Sequence, residues 1–385
     1  MDFTLSEEHR MIQQSIRKFC EKELDPIAGE IDRDERFPMD VYRKLGQEGF
    51  LGALVPQAYG GSGLDLMSMY IIKEELCRSV AAMGMSVTIC TLNFCHFISK
   101  FGAEAQKQEY IPPVMSGDKL AAYCLTEPNA GSDTLGFQTR AVRDGDHYVI
   151  NGSKTFITNA PIADYFIVVT RTSGDRSVRG ATNFILERGM DGLSTSEPFE
   201  KLGMRASPTG EVIMEDVRVH RDQVLGKEEE GFYDMFTTLN AERALAAATA
   251  TGIAQACFDA SIRYARERIQ FGRPIGSFQF VQGMLSEMAM NLEMARTYAH
   301  KVCWLYDQGK TIRHEASMAK LFASQMAVKS ALDAIQIHGG YGYIKDFPVE
   351  RYLRDSKLGE IGGGTSDISS EILQRSEEKT LWENG

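Results

Sequence analysis

The spacing of apolar residues changes twice along this chain, and that change restricts the possible folds more than any other feature. From Thr4 to about Lys119 the spacing is helical. From about 120 to 225, short β-prone runs alternate with turn dipeptides, and from Gly231 onward the helical spacing returns. We therefore predict an α+β protein with a helical N-terminal domain (1–119), a middle antiparallel β domain (120–225) and a C-terminal helical bundle domain (226–385).

Local patterns refine this prediction. Thr4 and Glu7 have the spacing of a capping box, which predicts the start of the first helix. The dipeptides Asp144-Gly145 and Asn151-Gly152 favour positive φ and predict two-residue hairpin turns. No charged residue occurs between Arg243 and Asp259, so we expect the helix there to be buried on most sides.

Composition argues against several classes of protein. The 385 residues include 42 Lys and Arg against 53 Asp and Glu, a net charge of −11, which disfavours a nucleic-acid-binding protein. No uninterrupted stretch reaches the ~20 apolar residues of a membrane span, and the N-terminus lacks the apolar core of a signal peptide. The seven cysteines form no CxxC pair, and no HExxH motif or Cys/His ligand cluster occurs. We therefore expect reduced thiols, a cytoplasmic location and no metal site.

Three parts of the sequence are difficult to explain as scaffold alone. The loop Tyr123–Asp133 concentrates small residues and hydroxyls, which allow close approach to a polar ring or a phosphate. Arg266–Gly276, with Gln279 beyond it, places guanidinium groups suited to phosphate binding beside a turn. Gln336–Tyr343 and Gly362–Asp367 are Gly-rich turns that favour close backbone contact with a ligand or a neighbouring subunit. Taken alone, the first segment is also compatible with a polar connection and the second with a solvated helix end.

Together these segments resemble the acyl-CoA dehydrogenase family, and the resemblance covers the whole chain. Any one motif alone is weak, but the set occurs in the order and spacing of the family. The set comprises the opening helix, Pro56–Gly63, Thr126–Asp133, Asn159, Lys201–Arg205, Arg268–Gly272 and Gln336–Gly340.

The resemblance implies a homotetramer that holds one FAD per subunit between the β domain and the C-terminal helices. On the β-domain side, the expected FAD-binding residues are Tyr123, Leu125, Thr126, Gly131, Ser132, Phe156 and Thr158. On the helical side, the residues expected to contact FAD, largely that of a neighbouring subunit, are Arg268, Gln270, Phe271, Gln279, Gln336, Gly340, Thr365 and Asp367. Phe156 stands where the family usually has Trp, and Asp367 stands where Gln or Glu is commoner.

The resemblance also implies the reaction. Members of the family remove the α-proton of an acyl-CoA with a Glu carboxylate while the β-hydrogen leaves as hydride to FAD. Most members place this Glu just before a Gly-Thr pair, where this chain has Gly363, which cannot act as a base. A minority, including isovaleryl-CoA and long-chain acyl-CoA dehydrogenases, carry it before an Arg on the first C-terminal helix. Asn240-Ala241-Glu242-Arg243 occupies that place here.

We therefore expect Glu242 to be the catalytic base and the backbone N–H of Gly363 to be an oxyanion donor. Ser132, Asn240 and Arg243 are the expected substrate-binding residues. A purely structural role of Glu242 as the partner of Arg243 is the alternative.

The missing side chain at Gly363 leaves room beside the α-carbon, which favours a branched or cyclic acyl group. An electron-transfer flavoprotein is the expected electron acceptor. The sequence leaves three alternatives open: the enoyl-CoA reductase direction, an acyl-CoA oxidase, and a non-catalytic assembly protein that kept the fold.

Overall fold

The computed structural model describes residues 4–174 and 178–383, with side chains up to Arg375. Helices make up the N-terminal part. These helices are α1 (Glu7–Glu23), α2 (Ala28–Arg33), α3 (Met39–Gln47), α4 (Leu66–Thr88), a π-helix (Ile89–His96), α5 (Phe97–Phe101) and α6 (Glu104–Met115). α1 and α3 bury one apolar face, whereas α4 is buried on nearly all sides. The predicted capping box at Thr4 is wrong: Ser6 caps α1, and its hydroxyl accepts a hydrogen bond from the His9 N–H at 3.1 Å.

A single β-sheet forms the middle of the molecule. Its strands are β1 (Ala121–Cys124), β2 (Arg140–Asp144), β3 (His147–Thr158), β4 (Tyr165–Arg171), β5 (Ala181–Glu187), β6 (Leu193–Thr195), β7 (Thr209–His220) and β8 (Val224–Leu225). The strand order is β6-β7-β3-β2-β4-β5-β8, with β1 also pairing with β4. The sheet is mainly antiparallel as predicted, but β1 pairs with β4 in parallel because it enters the sheet from the helical N-terminal part.

The predicted hairpin turn at Asn151-Gly152 is wrong. β3 continues through both residues, and only its register against β7 shifts between Ile150 and Gly152. Gly152 has φ +146°, and a Cβ there would lie 2.5 Å from the Thr139 hydroxyl oxygen. The glycine therefore allows two backbone segments to pass closely within a bulged strand, and does not reverse the chain.

Long helices form the C-terminal part. They are α7 (Gly231–Glu267), the small hairpin β9 (Ile269–Gln270) and β10 (Arg273–Pro274), α8 (Gln279–Asp307), α9 (Arg313–His338), α10 (Gly340–Tyr343), α11 (Val349–Ser356) and α12 (Ser366–Glu383). α7 packs against α4, α8 and α9, and its charge-free segment is almost entirely buried, as predicted. The seven cysteines are all free and buried.

One described helical segment, Leu66–Phe101, has the length and mean hydropathy of a membrane-crossing helix, although polar residues interrupt its apolar runs. Its apolar window is 83% buried inside the protein. A buried core helix meets the same criteria, so the segment is weak evidence for a span.

Candidate active site

The carboxylate of Glu242, on α7, lies beside the turn that contains Gly363. Its Oε2 accepts a hydrogen bond from the side-chain amide of Asn93 at 3.0 Å. A Cβ built on Gly363 would lie 3.8 Å from its Oε1. The fold therefore brings together the two residues that we expect to take part in catalysis, although one lies in α7 and the other in the turn before α12.

The turn at Gly363 has a conformation that favours glycine. Gly363 has φ +67° and Gly364 has φ +94°, both in the region that side chains rarely adopt. The ammonium of Lys320, on α9, donates a hydrogen bond to the Gly364 carbonyl. Lys320 is buried, and burial together with the charge of Arg243 lowers its pKa to about 8. This lysine anchors the backbone of the turn.

Three buried cationic side chains interact electrostatically with Glu242. Its charge raises the pKa of Lys73, Arg243 and Lys320, although burial lowers all three more strongly. The Arg243 guanidinium contacts the Asn240 side-chain oxygen at 3.5 Å, while its Nε is buried without a partner. No ion pair joins Arg243 to Glu242 in the part of the chain that the structure describes, although the charge of Glu242 raises the pKa of Arg243 against the effect of burial.

The predicted cofactor residues of the β domain lie along β1, the loop after it and the end of β3. Hydrogen bonds tie this loop to β3: the Leu125 carbonyl accepts from the Lys154 ammonium at 3.1 Å, and the Thr126 carbonyl accepts from the Thr155 N–H at 2.9 Å. The Tyr123 hydroxyl is buried without a partner. Burial and the charge of Glu242 raise the pKa of that hydroxyl.

The remaining residues of this group belong to a polar and aromatic surface that is open to solvent. Phe156 has φ +56°, and its side chain is 69% exposed. Thr158 ends β3, and Gly131 and Ser132 are exposed in the loop. Nothing lies within 4 Å of a Cβ built on Gly131. An open aromatic face beside hydroxyl groups and an unobstructed glycine fits a flavin ring with its attached phosphates.

The predicted cofactor residues of the helical part form a second group. Four of them lie in or next to the hairpin between α7 and α8: Arg268, Gln270, Phe271 and Gln279. Phe271 is 93% exposed. The Arg268 guanidinium lies 5.7 Å from the ring of Tyr341, next to Gly340 at the start of α10. Gln336, Gly340 and Asp367 are exposed, whereas the Thr365 hydroxyl accepts the Ile368 N–H at 3.2 Å at the start of α12.

Three residues near Glu242 were not singled out from the sequence: Lys73, Asn93 and Lys320. Asn93 is the one amide side chain in the apolar segment Gly84–Phe97, and the structure places it in the π-helix. Such helices occur often at functional sites. Lys73 stands in a charged triplet with Glu74 and Glu75, and Lys320 is one of several polar residues along a helix, so neither had a distinguishing signal.

Comparisons with known proteins agree with this arrangement. Models of the N-terminal, middle and C-terminal domains of acyl-CoA dehydrogenases match residues 6–118, 122–217 and 229–377. The probable acyl-CoA dehydrogenase YngJ of Bacillus subtilis is 43% identical over 97% of this chain and 99% of its own length. Mitochondrial isovaleryl-CoA dehydrogenase of Pongo abelii is 40% identical over 96% of this chain and 89% of its own length.

A solved structure shows the same fold. Butyryl-CoA dehydrogenase from Megasphaera elsdenii superimposes with a TM-score of 0.95 at 36% identity, covering 98% of this chain and 99% of that one. With its helical, β and helical parts in the same order and all three domain models matched, this chain belongs to the acyl-CoA dehydrogenase family of flavoprotein oxidoreductases.

Proposed function

We propose that this protein is an FAD-dependent acyl-CoA dehydrogenase in which Glu242 removes the α-proton of the substrate. The observation that carries the proposal is the position of the Glu242 carboxylate beside the Gly363 turn, where a Cβ would come within 3.8 Å of Oε1. A carboxylate next to a glycine backbone supplies a base and a hydrogen-bond donor to the same small volume.

Several groups of the chain have separate roles in the removal of the α-proton. Asn93 holds Oε2 of Glu242 at 3.0 Å, which leaves Oε1 directed at the space beside Gly363. The backbone N–H of Gly363 would donate to the thioester carbonyl oxygen and so stabilise the negative charge that develops when the α-proton leaves. The Lys320 ammonium donates a hydrogen bond to the carbonyl of Gly364, the next residue of the turn, and so keeps the N–H of Gly363 in place.

The FAD would be held by the two groups of predicted cofactor residues. Tyr123, Leu125, Thr126, Phe156 and Thr158 would contact its ring, and Gly131 and Ser132 would lie near its phosphates and the CoA. When bound there, FAD supplies the acceptor for the β-hydrogen, which leaves as hydride. Arg268 and Phe271 are exposed in the single chain, which is consistent with binding the FAD of a neighbouring subunit.

The space next to Gly363 supports a branched or cyclic acyl group as substrate. Among the described residues other than its two chain neighbours, Oε1 of Glu242 is the one atom within 4 Å of a Cβ built on Gly363, which leaves room beside this glycine. Asn240 and Arg243 adjoin Glu242 on α7 and would contact the substrate.

The proposal extends to assembly and partners. Large apolar side chains are exposed on the hairpin, α8 and α9, which supports a homotetramer of the three-domain chain (1–119, 120–225 and 226–385). They include Phe271, Phe280, Met290, Met294, Trp304, Phe322 and Leu332. An electron-transfer flavoprotein in the cytoplasm would reoxidise the enzyme.

Replacing the base tests the proposal. Glu242→Gln keeps the size and hydrogen-bonding capacity of the side chain but cannot accept the proton, so flavin reduction by substrate should fall by at least ~10²-fold while substrate binding persists. Stopped-flow absorbance with branched, cyclic and straight acyl-CoA thioesters measures the rate. Glu287→Gln, on the exposed side of α8, is the control and should react like the parent. Near-parental flavin reduction in Glu242→Gln would remove Glu242 from the mechanism.

A further inference from the structure

The loop after β1 carries Leu125 and Thr126, two of the residues expected to contact the flavin ring, and a buried lysine lies behind it. Lys154 belongs to β3, and its side chain is fully buried. Its ammonium donates a hydrogen bond to the Leu125 carbonyl at 3.1 Å and pairs with the Glu127 carboxylate at 2.9 Å. The ring centroid of Phe137 lies 4.8 Å from Nζ, which adds a cation–π contact. Three groups inside the protein therefore hold this ammonium.

The carboxylate of Glu127 closes the loop. Its Oε2 accepts the N–H of Gln138 at 2.6 Å, and its Oε1 accepts the N–H of Thr139 at 2.9 Å. The backbone of Glu127 also exchanges hydrogen bonds with that of Ala130, at 3.1 and 3.2 Å. Burial raises the pKa of Glu127, but the charge of Lys154 and these donors outweigh it and lower the pKa below its ordinary value. The side chain is therefore a carboxylate at neutral pH, paired with a cation.

This pair fixes the direction of one backbone N–H. The carbonyl of Leu125 and the N–H of Thr126 belong to one peptide bond, and the described residues contain no cis peptide bond. In a trans peptide bond the carbonyl and the N–H point in opposite directions. Because the carbonyl is directed at the buried ammonium of Lys154, the N–H of Thr126 points away from the buried side of the loop. The next peptide bond is held as well, since the Thr126 carbonyl accepts the N–H of Thr155 at 2.9 Å.

The N–H of Thr126 has no acceptor within the protein. In residues 4–174 and 178–383, neither this N–H nor the Thr126 hydroxyl forms a hydrogen bond, and the residue is partly exposed. A backbone donor that is held from behind and free in front is suited to an acceptor atom of a bound ring.

The course of β3 separates the lysine from the open surface. In a regular strand, Lys154 and Phe156 would point to the same face, yet the first is buried and the second is mostly exposed. The register of β3 against β7 shifts between Lys154 and Ile157, and Phe156 has a positive φ. This bulge directs Lys154 into the protein and leaves Phe156 on the surface that fits a flavin.

We propose that Lys154 and Glu127 are positioning residues for the cofactor: the buried pair fixes the peptide bond before Thr126, so that its N–H already faces the flavin ring when FAD binds. This inference rests on the proposed FAD-dependent function. A donor that is oriented in advance does not have to be ordered during binding, so the pair should increase the affinity for FAD.

The dissociation constant of FAD tests the proposal. Serial dilution of the purified holoenzyme, followed by the rise in flavin fluorescence on release, measures this constant. Lys154→Met keeps the length of the side chain but removes the donor to Leu125, so the constant should rise at least about tenfold. At saturating FAD, the visible absorption bands of the bound flavin should shift toward those of free FAD, because the N–H of Thr126 no longer has a fixed direction.

A matched control separates this effect from a general loss of stability. Arg296→Met also removes the cation of a buried pair, which joins Arg296 to Glu74 at 2.9 Å between α8 and α4. It should lower the temperature of unfolding but keep the parental dissociation constant and flavin spectrum. An equal loss of FAD affinity in Arg296→Met would overturn the proposal.

A double variant removes the cost of a buried carboxylate that has lost its cation. In Lys154→Met combined with Glu127→Gln, both charges are absent, so the result does not depend on whether Lys154→Met folds alone. The double variant should show the same weaker FAD binding and the same shift of the spectrum. A parental dissociation constant and spectrum would overturn the positioning role alone, whereas a parent that binds no FAD would overturn the proposed function itself.

Discussion

At the scale of single residues, the environment of Glu242 depends on a few buried groups that fix it and its neighbours. Asn93 holds one carboxylate oxygen, and Lys320 holds the glycine turn on which the proposed oxyanion donor lies. Each of these groups is buried or nearly so, and each contacts its partner through one hydrogen bond. Small changes at these positions should therefore alter the geometry of the site more than the stability of the fold.

The protonation of Lys320 predicts a pH dependence of stability. Its pKa is about 8 in the folded protein against 10.5 for an ordinary lysine, so between these values the folded state binds fewer protons than the unfolded state. The contribution of Lys320 to the free energy of unfolding should therefore rise with pH through this window, and below about pH 8 the full cost of the buried charge remains.

Lys320→Met should lack this rise. Denaturant unfolding at several pH values between 7 and 11 measures it as the difference in the free energy of unfolding between parent and variant. The exposed Lys44→Met should keep the parental rise. If Lys320→Met and the parent show parallel curves, Lys320 does not titrate in this window.

At the scale of elements, α4 and α7, the helix that carries Glu242, approach each other closely. The approach depends on Gly252: a Cβ there would lie 2.4 Å from the Glu74 carbonyl oxygen and 2.9 Å from the Cys77 Cβ. These atoms belong to the backbone and the base of a side chain, so they cannot move aside without separating the helices.

Gly252→Ala should therefore destabilise the protein by about 1–3 kcal/mol through overpacking. Gly283→Ala is the matched control, because Gly283 lies in α8 and nothing occurs within 4 Å of its Cβ. This control should stabilise the protein by about 0.5–1 kcal/mol, since alanine favours a helix more than glycine does. Urea unfolding monitored by circular dichroism measures both; equal effects would show that the helices do not depend on this glycine.

At the scale of the whole molecule, the hairpin between α7 and α8 extends apolar and cationic groups into solvent. Phe271 is 93% exposed and Phe280 is 91% exposed, and Arg268 stands beside the ring of Tyr341. Exposed aromatic side chains in such a cluster are typical of an interface between subunits. The hairpin is therefore the part of the chain most suited to carry both FAD binding and assembly.

Arg268→Ala should weaken both FAD retention and tetramer formation, since the guanidinium is assigned to a phosphate across the subunit boundary. The flavin-to-protein absorbance ratio and the mass from light scattering measure the two effects. Arg273→Ala, in the same hairpin, is the control because its guanidinium stacks on Phe278 at 4.3 Å within the chain. Unchanged flavin content and mass in Arg268→Ala would contradict the assignment.

Much of the fold follows from the sequence because hydrophobic spacing is a local property. The change from helical to β and back to helical spacing correctly predicted the α, β, α order, and the charge-free stretch after Arg243 correctly predicted a buried helix. The Asn151-Gly152 turn was predicted wrongly, because a glycine that allows a close approach to Thr139 has the same local signature as a glycine in a turn.

The sequence by itself determined the family, the order of the domains and the two candidate catalytic positions, Glu242 and Gly363, because motifs and their spacing carry that information. Only the tertiary structure decided which groups surround them. Asn93 lies in a π-helix and Lys320 in α9, and nothing in their local sequence indicates that one holds the Glu242 carboxylate and the other the glycine turn beside it. Their proximity results from the packing of elements that are distant in the sequence, so it can be recognised only when the fold is known.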